Sequence, residues 1–494
     1  MTVREESRPL GDSRATNVAV WLVAVWFLAL IPLRVVALGH RPADDARRHA
    51  AKVVSGKPWS EILVLREGVT VDPHQGWHAV LAVAQRLVVE TPTGLLVLSV
   101  VSLGVLALVA PLLFWRGRSE AWLLALLVAA LTEWGFLYRL MLGRPLVISI
   151  ALLLVLGFVW QGLDEAVPAR RRWAAVALMF ALSVWMHGNW YLWGLPLACF
   201  FAARRGRAAR RLTAAVAAGT AAAALASGQP LAFLVQTFVH PFRALASDLP
   251  RQGMVSEFQA GDGALPVVAA VLGLLVWRRS RGRELAPLLR DPIFLLAGAG
   301  WALGFYVVRF WLDWGMPACV VWMARELDEA LESSPIRGRT RLLVTAVTAA
   351  ALVLAVTVDT GRRWSHGESA AFLSLERPEH RPWLPEPGGI LYTNDMRVFY
   401  NTFFKNPRAS WRYAVGFEPS LMPPEDLAVF RAIQRELASD ASFAPWVAKM
   451  RPEDRLIIVR EGASPPVIPS LEWHSPYREM WIGRRPSSGD GADS

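Results

Sequence analysis

Cysteine is nearly absent: Cys199 and Cys319 are the only two in 494 residues. Both fall inside apolar runs, so neither a disulfide framework nor a cysteine-based metal centre is expected. Lysine is almost as scarce, occurring at Lys52, Lys57, Lys405 and Lys449; the rest of the 52 basic residues are arginines. No Walker-type phosphate loop, no Gly-x-Gly-x-x-Gly fingerprint and no His-Glu-x-x-His pair occurs in the chain. Their absence argues against an NTPase, a dinucleotide-dependent oxidoreductase and a zincin. No internal repeat is visible, which counts against transporter folds built from duplicated halves.

Apolar residues, in contrast, are abundant. The chain is 54% hydrophobic with 23 tryptophans and a mean hydropathy of +0.33, which places it among multi-span membrane proteins. Trp115, Trp134, Trp160, Trp190 and Trp311 sit near the ends of apolar runs, where amphipathic rings meet headgroups. The formal net charge is +11. A basic balance can signal nucleic acid, but here the arginines cluster between apolar runs and orientation in the membrane accounts for them, so no nucleic-acid partner is expected.

A hydrocarbon core of ~30 Å needs about 20 apolar residues per helix. Candidate spans are 17–38, 94–115, 121–137, 146–163, 173–186, 190–201, 212–226, 265–277, 293–308, 311–323 and 342–358. With residues 1–16 cytoplasmic, Arg116–Arg118, the Arg170–Arg172 run, Arg204–Arg211, Arg278–Arg283 and Arg337–Arg341 all face the same side, as the positive-inside rule demands. The loop 39–93, the segment 229–264 and everything after 359 then lie outside. The first run is too long for a signal-peptide core and reads as a retained anchor. Residues 76–89 are read as an amphipathic helix on the outer surface with Arg86 towards the headgroups, because a span there would invert every later loop.

Residues 359–486 change character. Short β-like runs at 389–393, 411–416, 455–460 and 479–484 alternate with a helical stretch at 424–438, which predicts a small α/β domain. Residues 487–494 read as a disordered tail. The expected fold class is a polytopic α-helical membrane protein of about 11 transmembrane helices with a small C-terminal extracytoplasmic α/β domain.

Ionisable groups at membrane depth are costly and so mark candidate sites. Asp44 and Asp45 follow the first span beside Arg41, Arg47 and Arg48. The topology puts Arg139 and Arg144, His187 and Asn189, and Arg309 and Asp313 on the same face. Asp44 either serves as a base or caps a helix beginning near Asp45. Arg139 and Arg144 either bind an anion or snorkel to the interface. His187 either orders a turn or contacts substrate. His74 and His78 stand at i, i+4, a spacing that suits a divalent metal, although no third ligand follows. Glu257 either lines a cleft or is solvated. In the tail, Tyr392–Asp395 is read as a helix-capping turn.

The order of these parts resembles the GT-C superfamily of integral-membrane glycosyltransferases, which includes protein O-mannosyltransferases and aminoarabinose transferases. Asp44-Asp45 after the first span matches the family's acidic pair. Asp72-Pro73-His74-Gln75-Gly76-Trp77-His78 stands, in altered form, where a His-Pro-Pro-like motif opens a surface helix. Arg309-Phe310 with Met316-Pro317 is similar to the late Arg-aromatic and Pro motif. The resemblance covers residues 17–358 and implies inverting transfer of a sugar from a polyprenyl-phosphate donor to a hydroxyl of a lipid, glycan or protein acceptor at a bacterial-type inner membrane. It implies Asp44, or else Asp45, as the base and Arg309 with Arg144 as phosphate ligands; Arg139, His187, Asn189, His74 and Glu257 stand, from their own placement, as further substrate-binding candidates. A divalent metal is used by some members and not by others. Two alternatives stand beside it: a transporter or flippase of an anionic lipid-linked substrate, and a non-catalytic envelope protein. A common outer-facing cavity lined by Asp44, Arg144, His187 and Arg309 separates these readings: without it the transferase assignment fails.

Overall fold

The computed structural model describes residues 14–115, 117–165, 170–246, 258–332, 336–365, 372–460 and 464–486. The molecule is mostly helical, with one small sheet near the C-terminus. The apolar runs expected to span are largely helical, although several are broken or shorter than expected. The first helix, Arg14–Ala37, shows how such a run is used. Val20, Ala24, Leu28, Ile31 and Val35 are buried at helical spacing, whereas Val18, Leu22, Trp26 and Leu33 on the other faces are exposed. A helix that is apolar all round yet buries one stripe suits contact with lipid on its free faces. It packs against Pro92–Phe114 and Gly338–Thr357.

Among the described residues, three helices are long and apolar enough to cross a membrane: Arg14–Ala37, Pro92–Phe114 and Gly338–Thr357. Two bent pairs bring the number to five. Ser119–Thr132 turns by 112° into Trp134–Leu140, and Gly206–Ala226 turns by 114° into the helix that begins at Pro230. The expected straight span 121–137 is therefore broken. The break falls at Glu133, whose carboxylate accepts a hydrogen bond from Trp311 Nε1 at 3.0 Å. The segment 229–264, expected as loop, contains the helix Pro230–Ala246. Its apolar residues Leu231, Val235, Phe238 and Phe242 recur at i, i+4, i+7 and i+11 and are exposed on one stripe, a periodicity that marks an amphipathic helix.

The expected amphipathic helix at 76–89 is present as Gln75–Leu87. It buries Gly76, Trp77, His78 and Leu81 and exposes Val80, Val83 and Leu87. Gly76 lies so close to Trp185 that a β-carbon there would meet the indole at 2.6 Å.

The sheet has the order β2-β1-β3-β5-β4. Its strands are β1 (Ile390–Thr393), β2 (Arg412–Tyr413), β3 (Arg455–Val459), β4 (Glu472–Tyr477) and β5 (Met480–Arg484). The pairs β1–β2 and β1–β3 are parallel, while β3–β5 and β4–β5 are antiparallel. Four strands fall on the runs expected from sequence. The fifth, β4, contains Pro476 and reads poorly as a strand, but it lies at the sheet edge, where a missing N–H is tolerated. The helix Met396–Lys405 follows β1, and Asp395 caps it by accepting from Arg397 N at 2.8 Å, so the turn at Tyr392–Asp395 is a capping turn as expected. At the β2 edge the chain between residues 63 and 66 joins the sheet: Leu63 bridges Tyr413, and Val64 N donates to Tyr413 O at 2.9 Å. One hydrophobic core runs without interruption from the long helices into Leu391, Phe399, Phe403 and Tyr413.

Candidate active site

A cavity of about 2320 Å³ opens between the helices and the C-terminal sheet region. Asp44, Asp45, Arg48, His74, Arg144, His187, Asn189, Arg309 and Asp313 all line it. Residues scattered over most of the sequence thus meet at one surface.

Asp44 and Asp45 open the helix Asp45–Ser55. Asp44 occupies the N-cap position, but its side chain makes no capping bond. Both of its carboxylate oxygens are instead taken by Arg144, through Nε at 3.3 Å and through a second bond from Nη2. Arg144 follows Gly143, which adopts φ +64°, a left-handed turn that favours glycine. A β-carbon at Gly143 would also crowd Val100 N at 3.2 Å, so this tight turn is what aims Arg144 at the carboxylates.

Asp45 accepts from Arg48 Nε at 2.7 Å and from the phenol of Tyr400 at 3.3 Å, and its second oxygen lies 3.9 Å from Arg144 Nε. Burial opposes its charge, but Arg48 and Arg144 outweigh that penalty and hold the carboxyl far below the usual range. Of the three arginines adjacent in sequence, only Arg48 lines the cavity. Arg41 turns back to the carbonyls of Val36 and His40, and Arg47, 1% exposed, faces Asn401 and Phe372.

Arg309, also on the cavity lining, sits in a short turn ahead of a π-helical segment, Trp311–Gly315. A π segment offsets the side-chain register and is common at functional sites. Here it places Asp313 four residues on, where it accepts from Arg309 Nε at 3.0 Å. Arg139 differs from the expectation: it does not line the cavity. It is buried and binds both carboxylate oxygens of Asp313 from behind. Its apparent interfacial position in sequence is overridden because the helix that carries it, Trp134–Leu140, is bent inwards.

Histidines form a third cluster. His78 Nδ1 lies 2.6 Å from Asp72 Oδ2, and His78 Nε2 lies 2.8 Å from His49 Nδ1. With Asp72 accepting, a neutral His78 carries its proton on Nδ1 and accepts from His49 through Nε2. The rings of His49 and His74 are 4.7 Å apart, and those of His74 and His187 are 5.3 Å apart. Burial, reinforced by Arg48, pushes His49 and His74 well below the ordinary imidazole range and keeps both neutral. Both nitrogens of His78, of the i, i+4 pair His74 and His78, lie within hydrogen-bond distance of Asp72 and His49. Among the described residues no group of three or more His, Cys, Asp or Glu side chains converges as a ligand set. Asn189 is buried and exchanges hydrogen bonds with Ser149. Glu257 lies outside the described residues.

Sequence reasoning missed His49 and Tyr400. His49 stands four residues after Asp45, one helical turn on, so its place on the same face was legible. Tyr400 comes from a helix 355 residues away, and no local pattern marks it.

No family model and no curated protein sequence matches this chain. Its fold matches solved structures of ArnT from Cupriavidus metallidurans. The structure bound to undecaprenyl phosphate aligns with a TM-score of 0.56 at 15% identity, over 96% of this chain and 98% of that one. The apo structure aligns with a TM-score of 0.54 at 16% identity, over 95% and 97% respectively. The chain therefore shares the fold of these ArnT structures over nearly its whole length.

Proposed function

We propose that the chain is an inverting glycosyltransferase that moves a sugar from a polyprenyl-phosphate donor to an acceptor hydroxyl. The observation that carries this reading is the direct contact of Asp44 with Arg144 in a cavity that Arg309 also lines. A phosphate seated against these guanidinium forks lies beside a carboxylate able to take a proton. The likeness to a protein crystallised with undecaprenyl phosphate supports a lipid-linked donor.

In the proposed reaction the acceptor hydroxyl gives its proton to Asp44 as its oxygen forms a bond to the anomeric carbon. On the opposite face the bond from that carbon to the phosphate oxygen breaks, and the electron pair leaves with the phosphate. Arg309 and Arg144 stabilise the charge that develops there. Donor binding also draws Arg144 from Asp44 towards the phosphate, which frees the carboxylate when it is needed. His74, His187 and Asn189 border the sugar, with Arg139 acting through Asp313. A flippase for the same lipid would use the arginines but has no need of carboxylates held against them.

The same reading includes about 11 transmembrane helices in residues 17–358, a cytoplasmic N-terminus, and residues 359–486 outside a bacterial-type inner membrane. The single-sided arginine clusters support that orientation. The test is transfer from a labelled polyprenyl-phosphate sugar in membranes carrying Asp44→Asn. Loss of a general base lowers the rate by roughly 10²–10⁴-fold while donor binding persists. Full transfer by the variant removes Asp44 from the base role.

A further inference from the structure

The helix that carries the carboxylate pair is gripped by residues of the C-terminal region. Arg47 Nη1 donates to Asn401 Oδ1 at 2.5 Å, and its guanidinium lies 5.0 Å from the centre of the Phe372 ring. Arg48, while bonded to Asp45, stacks 4.0 Å over Phe417. Lys57, just past the helix, donates to Ala409 O at 2.5 Å. The following strand-like segment then joins the β2 edge, with Arg66 N donating to Leu421 O at 2.9 Å. Within this grip one side chain reaches the site itself. Tyr400 is 8% exposed, lines the cavity and donates its phenol proton to Asp45.

Two donors converge on one oxygen of Asp45, Arg48 from its own helix and Tyr400 from the helix Met396–Lys405. That leaves the second oxygen to the cavity, 3.9 Å from Arg144. Without the phenol, Arg48 alone holds Asp45, which then turns more readily towards Arg144 and competes with Asp44 for it. Burial, with Asp45 adding to it, pushes the Tyr400 phenol well above its ordinary range, so it remains a donor at neutral pH.

We propose that Tyr400 is a positioning residue of the transferase site, supplied by the C-terminal region, which fixes Asp45 so that Arg144 is divided correctly between Asp44 and the donor phosphate. The C-terminal region is then a working part of the site and more than a cover over it. This rests on the transferase reading given above.

The test uses the full chain in membranes with a labelled polyprenyl-phosphate sugar, comparing the parent with Tyr400→Phe, which keeps the ring and removes only the hydroxyl. A hydrogen bond to a charged group is worth enough to change a rate by roughly 10-fold or more. The expected result is a fall in kcat of about that size, with donor KM little changed. The acid limb of the pH–rate profile is expected to move to higher pH, because Asp45, once it turns towards Arg144, draws that cation away from the base Asp44. Asp45 also faces Asp44, Arg48, Arg144, His74 and His187, and these are unaltered in the variant. Asn401→Ala controls for docking alone: it loosens the Arg47 contact and lowers thermal stability without moving the pH profile. Donor binding by Tyr400→Phe reports that the site is intact. Parent-like kcat and an unmoved acid limb in Tyr400→Phe, with the parent active, overturn the positioning role and leave the transferase reading standing. No transfer by the parent overturns both.

Discussion

Replacing Arg139 by methionine tests how the cavity lining at Asp313 is held. The side chains of Arg139 and Asp313 are 5% and 2% exposed, and both carboxylate oxygens are bonded to the guanidinium. Truncating one partner of such a pair leaves an uncompensated charge and costs about 3–5 kcal/mol. Arg309 keeps one bond to Asp313, but at 28% exposed it is partly screened by solvent, so the net loss falls near the lower end, about 3 kcal/mol. Soluble domains of 150–250 residues lose roughly 2–4 °C per kcal/mol, and longer chains lose less. A fall of about 5 °C is therefore expected in the tryptophan-fluorescence melting curve of detergent-purified Arg139→Met. Adding Asp313→Asn removes the stranded charge and is expected to recover more than half of that loss. A melting temperature within about 1 °C of the parent refutes the argument. A variant that melts normally yet fails to bind donor instead makes Arg139 a ligand, one of the two roles its place in the sequence left open.

Two further outcomes follow from the packing and the charges. Gly300 and Gly315 meet backbone to backbone, a β-carbon on Gly300 falling 2.4 Å from Gly315 Cα; Gly300→Ala is expected to displace the π segment, cost about 1–3 kcal/mol and lower transfer by misplacing Arg309. Asp45 has its folded-state carboxyl value held down against burial by Arg48 and Arg144, so its stabilising contribution is full above the unfolded value of about 3.9 and is lost only as pH falls through the lower folded value. In Arg48→Met that loss is expected at higher pH, read as a steeper drop in melting temperature between about pH 5 and 3; curves that superimpose with the parent's count against it.

Much of this architecture was legible before any coordinates. Apolar runs long enough to read as spans became helices, because a stripe such as Val20, Ala24, Leu28 and Ile31 is set by local periodicity alone. The strands β1, β3 and β5 were visible for the same reason. What misled was any place where packing bends a periodic segment. Glu133 breaks a run that reads as continuous, and its reason is the indole of Trp311, 178 residues away. The helix Pro230–Ala246 was missed although its apolar residues recur at helical spacing, because Gln236, Thr237 and His240, which line the cavity, keep the segment from reading as an apolar run.

The same division holds for the site. The acidic pair after the first helix, the arginine before Pro317 and the histidines of the Asp72–His78 segment could be singled out by residue type and order, because ionisable groups beside apolar runs are conspicuous. Their partnerships could not. Asp44 meets Arg144 across 100 residues, Arg139 meets Asp313 across 174, and Tyr400 meets Asp45 across 355. Sequence by itself determined which charged side chains stand beside apolar runs, since hydropathy and periodicity act within a turn or two. Only the tertiary structure decided which guanidinium neutralises which carboxylate, because ion pairing depends on distance and desolvation at a few ångströms, and these are set by how distant helices pack.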